Sequence, residues 1–398
     1  MENPNNTLIA KTLTGLEPLL EQELIALGAR DVKPLKRAVS FQGDTRTMYA
    51  ANLWSRTAIS ILKEVGNFTF AGKEGFYDAM RQIEWDSLFT LDKSISVSAL
   101  AHKSEVFTNT LFLAQLAKDG IVDHFRDKFN DRPRVDVGGA HIRIHVYVYE
   151  DQCTVSLDSS GDPLFKRGYR KAAGPAPMSE VLAAGLIMLS EWDKVSNFVD
   201  PMCGSGTFSI EAAMIALDMA PAIYRKNFSF MYWNDFQPEV WESLREEAQN
   251  RRRKTLPGLI IASDLNGKVL DMARQNVMEA GLMGLIKVQR NDFFTFKPPA
   301  GKGWALFNPP YGQRLRNQDL PTFYRDIGTT LKHQYAGYRA GFITSDQIAM
   351  KHIGLKPISK TLVYNGPLEC RFLVFDLFEG KHKDHVVKTR PRRPRMGQ

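Results

Sequence analysis

Val195-Ser-Asn-Phe-Val-Asp-Pro-Met-Cys-Gly-Ser-Gly-Thr207 runs from an apolar segment through an acidic residue into a loop with two glycines. Thr207–Met219 follows with apolar residues at helical spacing, so the segment predicts a strand, a tight turn and a helix. Gly204 and Gly206 let the backbone approach a ligand, and the N-terminus of the helix favours an anion. A dinucleotide-binding turn carries a third glycine three positions further on, where this sequence has Ser209. A carboxylate at Asp200 would repel a pyrophosphate, yet it suits an ammonium group such as that of a methionine moiety. The loop's candidate cofactor-binding residues are Asp200, Met202, Gly204, Ser205, Gly206 and Thr207.

Moving outward, apolar strand candidates recur at Leu259–Ala262, Leu285–Gln289, Trp304–Phe307 and Arg339–Ile343. Helix candidates lie between them, at Gly267–Ala280 and Thr322–Tyr335. Strands alternating with helices imply a parallel sheet covered on both faces. The last two strands, Ile358–Tyr364 and Leu368–Phe378, are separated only by Asn365-Gly-Pro367, a link too short for a parallel crossover. The sheet is therefore expected to end in an antiparallel pair.

Three strand ends carry further candidates. Asp264 closes Ile260-Ile-Ala-Ser-Asp264, where a carboxylate can accept both hydroxyls of a ribose; Leu265 follows it. Alone, such an Asp is as readily the N-cap of the next helix. Asn291-Asp-Phe-Phe294 follows the third strand, so Asp292 can accept an adenine amino group while Phe293 packs on the ring. The same residues also read as an Asx-turn with two core phenylalanines. Asn308-Pro-Pro-Tyr-Gly312 ends the fourth strand and is the most specific signal. Pro309 and Pro310 fix the backbone and remove two donors, leaving carbonyl oxygens and the Asn308 amide oxygen as acceptors. Two acceptors can hold both hydrogens of an exocyclic amine and leave its lone pair aimed at a methyl donor. Tyr311 can stack on the base, worth about 1–3 kcal/mol.

The pattern thus predicts an S-adenosylmethionine-dependent methyltransferase whose catalytic residues are Asn308, Pro309, Pro310 and Tyr311. No cysteine lies near the Asn308 loop, which argues against carbon-5 methylation of a pyrimidine through a thiol nucleophile. No His/Cys/Asp cluster has metal-ligand spacing, so no metal is expected.

The first 160 residues read differently. Leu8–Leu13 predicts a strand and Leu16–Leu27 a helix closed by Gly28. Met48–Val65 and Gly75–Phe89 predict helices, Ser94–Leu100 a strand and Leu111–Phe129 a helix. His141–Tyr149 and Cys153–Leu157 predict a hairpin. This half holds no cluster of candidate catalytic residues and reads as a binding or positioning module. Ser159–Pro177, rich in Gly, Pro and basic residues, predicts a boundary.

The 398 residues are enough for two or three domains, and 43% hydrophobic with 24% charged residues is the balance of a soluble globular chain. No run of about 18 apolar residues marks a membrane span, and Met1–Asn6 lacks the pattern of a signal peptide. Three scattered cysteines suggest neither a disulfide framework nor a zinc site, so a reduced, cytoplasmic protein is expected. The net charge of +8 is concentrated in the tail, where residues 381–398 carry seven Lys/Arg and one Asp. Such a tail is expected to be disordered and to attract phosphates without reading sequence.

The residues quoted above resemble the bacterial THUMP-domain methyltransferases that make 2-methylguanosine in large-subunit ribosomal RNA. The resemblance extends through Thr14-Gly-Leu-Glu-Pro-Leu-Leu20, Asn52-Leu-Trp-Ser-Arg-Thr57, Lys118-Asp-Gly-Ile-Val-Asp-His-Phe-Arg126 and Arg132-Pro-Arg-Val-Asp136. It continues in Asp158-Ser-Ser-Gly-Asp-Pro-Leu-Phe-Lys-Arg-Gly-Tyr-Arg170 and Ala176-Pro-Met-Ser-Glu-Val-Leu-Ala-Ala184. It implies an α/β fold, with a Rossmann-like seven-stranded methyltransferase domain and an antiparallel C-terminal hairpin. A ferredoxin-like lobe (1–50) and an α+β THUMP RNA-binding domain (51–160) would precede it. A linker at 161–178, a methyltransferase domain at 179–380 and the basic tail at 381–398 complete the implied organisation. The resemblance also implies S-adenosylmethionine as cofactor, ribosomal RNA or a pre-ribosomal particle as partner, and the guanine 2-amino group as target. It matches cofactor roles to Asp200, Gly204, Gly206, Asp264 and Asp292, and the amine-holding role to Asn308 through Tyr311. Ser179 stands where much of the family is expected to carry a basic residue. The enterobacterial form carries a second methyltransferase domain; one is read here, so a single transfer activity is expected. Two rival functions remain: adenine-N6 methylation of DNA or RNA, which uses the same four-residue loop, and a catalytically idle RNA-binding assembly factor.

Overall fold

The computed structural model describes residues 6–172, 178–310 and 319–379. The expectations for Tyr311, for residues 173–177 of the linker and for the basic tail at 381–398 lie outside them. The described residues form two compact units. One contains those of 1–170, 179–185 and 218–253; the other contains those of 171–178, 186–217 and 254–398. No helix of the described residues is long and apolar enough to cross a membrane.

The first unit is built on a seven-stranded sheet of order β2-β3-β1-β4-β7-β6-β5. Its strands are β1 (Asn6–Lys11), β2 (Arg30–Leu35), β3 (Ala38–Gly43), β4 (Ser60–Thr69), β5 (Ile95–His102), β6 (Ile142–Tyr149) and β7 (Gln152–Asp158). The helices are α1 (Glu17–Ala26), α2 (Thr45–Trp54), α3 (Gly72–Gln82), α4 (Trp85–Leu88) and α5 (Thr110–Phe129). The predicted hairpin is β6 and β7, paired antiparallel from Ile144↔Leu157 to Tyr149↔Gln152.

Two sequence expectations are overturned: Gly75–Phe89 is not one helix, because Ile83 is extended (ψ 132°) between the end of α3 and the start of α4. Met48–Val65 is not a single helix: α2 ends at Trp54, and β4 begins at Ser60. The cause is a distant carboxylate. Glu23 accepts the backbone N–H groups of Arg56 at 2.8 Å and Thr57 at 3.0 Å, which holds the chain in a turn where the helix would continue. The apolar residues after it, Ile61 and Leu62, then pair with β1. Strands β2 and β3 are absent from the sequence reading. β2 is an exposed edge strand containing Pro34 and shows no alternation of burial.

Residues 218–253, which the strand–helix rhythm gave no reason to set apart, add their apolar side chains to this unit's core. Phe228, Phe230, Trp241 and Leu244 join Tyr49 and Leu53 in one buried cluster. α8 (Pro238–Arg251) supplies Trp241 and Leu244. Arg225 is the polar anchor of the same segment. Its guanidinium donates to the carbonyl oxygens of Ser160 (2.9 Å), Asp162 (2.8 Å), Pro163 (2.9 Å) and Lys166 (3.3 Å). Burial lowers its pKa to about 10, which leaves it charged at neutral pH. Next to it, the fully buried Asn52 donates to Met48 O and Ser159 Oγ and accepts from Ser160 Oγ. Two sequence signatures, Asn52–Thr57 and Asp158–Arg170, are thus explained by internal hydrogen bonding.

The second unit carries a seven-stranded sheet of order β10-β9-β8-β11-β12-β14-β13. Its strands are β8 (Asn197–Asp200), β9 (Ile260–Asp264), β10 (Ile286–Arg290), β11 (Gly303–Phe307), β12 (Tyr338–Thr344), β13 (Ser359–Asn365) and β14 (Leu368–Asp376). β8 to β12 run parallel, and β14 lies antiparallel to both β12 and β13, as the short link at Asn365-Gly-Pro367 requires. The connecting helices include α7 (Thr207–Ala216), α9 (Gly267–Glu279) and α10 (Leu320–Gln334). α6 (Glu180–Leu189) escaped the sequence reading because it is apolar nearly all round and shows no amphipathic period.

The Arg225 anchor predicts a specific stability effect. Arg225→Met keeps an unbranched apolar stem but removes the guanidinium donor from four carbonyl oxygens, of which Pro163 O keeps the Lys166 N–H at 3.0 Å, and should cost roughly 2–3 kcal/mol. Denaturant unfolding followed by tryptophan fluorescence measures it. An unchanged midpoint would mean that the 160–166 carbonyls need no anchor.

Candidate active site

The parallel register brings the candidate residues to one edge. Val199 pairs with both Ala305 and Ile261, so β8, β9 and β11 end side by side. β8 is also where the strand order reverses, with β9 and β10 on one side and β11 and β12 on the other. Open α/β sheets bind ligands beyond the carboxyl ends of their strands at this switch point.

Asp200 ends β8 and is 1% exposed. Its Oδ2 accepts from Ser209 Oγ at 3.3 Å, while Oδ1 has no hydrogen-bond partner among the described residues. Burial pushes the carboxyl well above the usual carboxylate range, and the neighbouring Asp264 pushes it further. The loop after it is shaped by two left-handed glycines, Gly204 (φ 52°) and Gly206 (φ 84°). A Cβ on Gly206 would lie 3.3 Å from Ala273 Cβ, and one on Gly204 would meet nothing within 4 Å. Backbone approach to a ligand is therefore open at Gly204, while Gly206 serves the packing of the loop on α9. Cys203 N–H donates to Ser263 O at 2.9 Å and Gly206 N–H to Cys203 O at 2.8 Å. Thr207 opens α7, and Met202 and Ser205 are half-buried.

Asp264 ends β9. Its Oδ2 accepts from Gly204 N–H at 3.1 Å and its Oδ1 from Asn266 N–H at 3.0 Å. A carboxylate offers about four lone-pair sites, so both oxygens keep capacity for hydroxyl donors. Its expected alternative role as the helix cap falls to Asn266, which accepts from Lys268 N–H at 3.1 Å. Leu265 is 59% exposed beside it, with its carbonyl held by Arg290 at 3.0 Å. After β10, Asn291 N–H donates to Asp264 O at 3.3 Å, and Asp292 Oδ1 accepts from Phe294 N–H at 2.9 Å. Phe293 does not face the site. It is 4% exposed and packs against Phe307 and Tyr335, with ring centroids 5.3 and 5.9 Å away. Of the two readings of Phe293, the packing described is that of a core phenylalanine, and Leu265 offers exposed apolar surface beside Asp264.

Asn308 leaves the end of β11. Its amide oxygen is buried and has no hydrogen-bond partner among the described residues. Pro309 is buried and Pro310 half-buried. Among the described residues, no group of three or more His, Cys, Asp or Glu side chains is placed to hold a metal ion.

Comparison with known proteins meets this geometry from another side. A model of the RMKL-like methyltransferase domain matches residues 167–373. The chain belongs to this methyltransferase-domain family. Models of an RlmL ferredoxin-like domain and of a THUMP domain match residues 7–62 and 72–158. A relative from Methylococcus capsulatus, "Ribosomal RNA large subunit methyltransferase K/L", is 38% identical over 91% of this chain and 50% of its own length. The chain thus spans about half of that relative. A "Putative RNA methyltransferase" of Synechocystis sp. is 35% identical over 93% of this chain and 96% of its own. A crystal structure described as a "putative methyltransferase complexed with SAH" is 30% identical, with TM-score 0.85, over 96% of this chain and all of its own.

Two residues of this family member escaped the sequence reading. Ala273 and Asn276 on α9 face the glycine loop, one by packing against Gly206 and the other by donating to Ser205 O at 3.0 Å. The available signal was a polar residue, Asn276, in the buried stripe that includes Leu270, Ala273 and Val277.

The buried Asp200 carboxyl predicts an unusual stability change. Its raised pKa means that it costs the ligand-free protein stability as the pH rises above the ordinary carboxylate range. Asp200→Asn removes that cost, so the ligand-free variant should melt above the wild type at pH 7. The gap should close as the pH falls through the usual carboxylate range. Thermal unfolding at several pH values measures this, and a variant that melts lower at every pH contradicts it.

Proposed function

We propose that this chain transfers a methyl group from S-adenosylmethionine to an exocyclic amino group of an RNA base. The target we infer is the 2-amino group of a guanosine in large-subunit ribosomal RNA. The observation that carries this reading is the buried amide oxygen of Asn308 at the end of β11, which has no hydrogen-bond partner among the described residues and lies beside the rigid Pro309-Pro310 pair. A buried acceptor without a donor is costly unless a ligand supplies one.

The donor set suits the cofactor. Asp200 Oδ1 has a vacant acceptor for an ammonium, which would draw the carboxyl back to its ionised form. Asp264 keeps acceptor capacity for two ribose hydroxyls, Asp292 can accept from an adenine amino group, and Leu265 offers an apolar face to the ring. Met202, Ser205, Thr207 and Asn291 are proposed to complete the lining. Bound there, S-adenosylmethionine supplies an electrophilic methyl group on its sulfonium.

The work of the chain itself is orientation. Asn308 Oδ1 accepts one N–H of the amine, and the Pro309 carbonyl the other. The nitrogen lone pair is then directed at the methyl group. As the N–C bond formed and the methyl–sulfur bond broke, its electron pair leaving on a neutral thioether, the nitrogen would become cationic and its N–H groups stronger donors, so both acceptors would bind the transition state more tightly than the ground state. One proton then leaves to water, and no strong base is required. Tyr311 is proposed to stack on the base. An unpaired or flipped-out base is needed, because pairing hides the amino group.

RNA rather than DNA is favoured by the THUMP and ferredoxin-like matches in the first unit and by the ribosomal RNA name of a relative. The choice of guanine rests on the family resemblance.

Asn308→Ala tests the role of the acceptor. It should bind cofactor and RNA nearly as the wild type does, but lose about 10²–10³ in single-turnover rate, the scale of removing one group that stabilises transition-state charge. A variant that keeps the wild-type rate removes Asn308 from the mechanism.

A further inference from the structure

Asn276 lies on α9, is 1% exposed, and uses the whole hydrogen-bonding capacity of its amide. Oδ1 accepts from Lys171 N–H at 3.0 Å and Ala172 N–H at 3.1 Å. Nδ2 donates to Ala172 O at 2.8 Å and to Ser205 O at 3.0 Å. Two acceptor and two donor positions are the full complement of a carboxamide. The side chain therefore ties two backbone segments distant in sequence: the glycine loop and the start of the linker at 171–172.

The bond to Ser205 falls at a telling place. The peptide between Ser205 and Gly206 has its N–H fixed to Cys203 O at 2.8 Å, so with Asn276 on its carbonyl the peptide plane is held at both ends. Gly206 next to it adopts φ 84°, and Ala273, one turn before Asn276, packs against it. Gly204, within the same loop, directs its N–H to Asp264 Oδ2. Rotation of the 205–206 peptide would alter the path from Asp200 to Thr207 and the backbone that holds Asp264.

On the linker side, the neighbouring Arg170 is paired with the buried Glu180 at 2.9 Å. The N–H groups of Lys171 and Ala172 and the Ala172 carbonyl all meet one side chain.

We propose that Asn276 is a positioning residue that makes the shape of the cofactor loop and the path of the linker a single equilibrium. The proposal rests on the reading of this loop as a cofactor site. A cofactor that binds the ordered loop thereby also secures Lys171 and Ala172, which it need not touch. A residue that only filled space in α9 would produce no such response.

The test uses the full chain and S-adenosylhomocysteine as the probe. Hydrogen exchange at the Lys171 and Ala172 amides is followed with and without saturating probe, and affinity is measured by calorimetry. In the wild type the probe should bind and slow exchange at both amides. Asn276→Asp keeps an acceptor for the two amides but loses both donors, so it should bind the probe about tenfold more weakly, the loss of about one buried hydrogen bond. Its linker amides should no longer respond to the probe. Ala172→Pro leaves Asn276 intact and removes one linker donor; it too should weaken binding. If the wild type does not bind the probe, the cofactor reading itself fails. If it binds and the two amides do not respond, or if both variants bind as tightly as the wild type, the proposal for Asn276 is overturned while the cofactor reading stands.

Discussion

Strands β8, β9 and β11 run parallel and are buried along almost their whole length, so nothing in their interior can bond to water. Charged and amide side chains are confined to the strand ends by this constraint, because burying one inside without a partner is costly. Asp200, Asp264 and Asn308 stand where the apolar runs stop. Since the three strands share one direction and one register, these ends fall along one edge. The same burial strips water from Asp200 and raises its pKa. The sheet that gathers the site therefore also makes it electrostatically costly.

Two kinds of buried polar group stand out, although Ser55 Oγ, Trp233 Nε1 and the Tyr335 hydroxyl also lack hydrogen-bond partners among the described residues. Around Asn52, Ser159, Ser160 and Arg225, the amide, both hydroxyls and four carbonyl oxygens find partners within the first unit. That network stabilises without asking for a ligand. At the edge of the second sheet, Asp200 Oδ1, Asn291 Nδ2 and Asn308 Oδ1 are buried and lack partners among the described residues. Natural folds keep such groups mainly where binding satisfies them. Asn276 belongs to the first kind by its four bonds and to the second by its position, and so it joins the two.

Much of the second unit was legible because its signals are local. An apolar run that stops at an Asp and turns through Gly204 and Gly206 has few other readings, and the short link at Asn365-Gly-Pro367 can only join antiparallel strands. Asp264 and Asp292 also stand where the strand ends placed them. Phe293 was harder, since an aromatic beside a candidate ligand and an aromatic in the core have the same sequence; its ring packs against Phe307 and Tyr335. What the sequence hid depends on long-range contacts. The break after Trp54 is imposed by Glu23, and residues 218–253 join a core whose strands lie far earlier in the chain. The bonds of Asn276 reach back to residues 171–172 and 205, which no local pattern encodes.

We propose that this edge methylates an exocyclic amine of a ribosomal RNA base. The most direct measurement is nucleoside mass spectrometry of large-subunit ribosomal RNA from cells lacking the protein, incubated with the purified chain and S-adenosylmethionine carrying an isotopically labelled methyl group. The account predicts a single labelled product, N2-methylguanosine. Labelled N6-methyladenosine as the product would contradict the choice of base, and absence of any labelled nucleoside would contradict the claim itself.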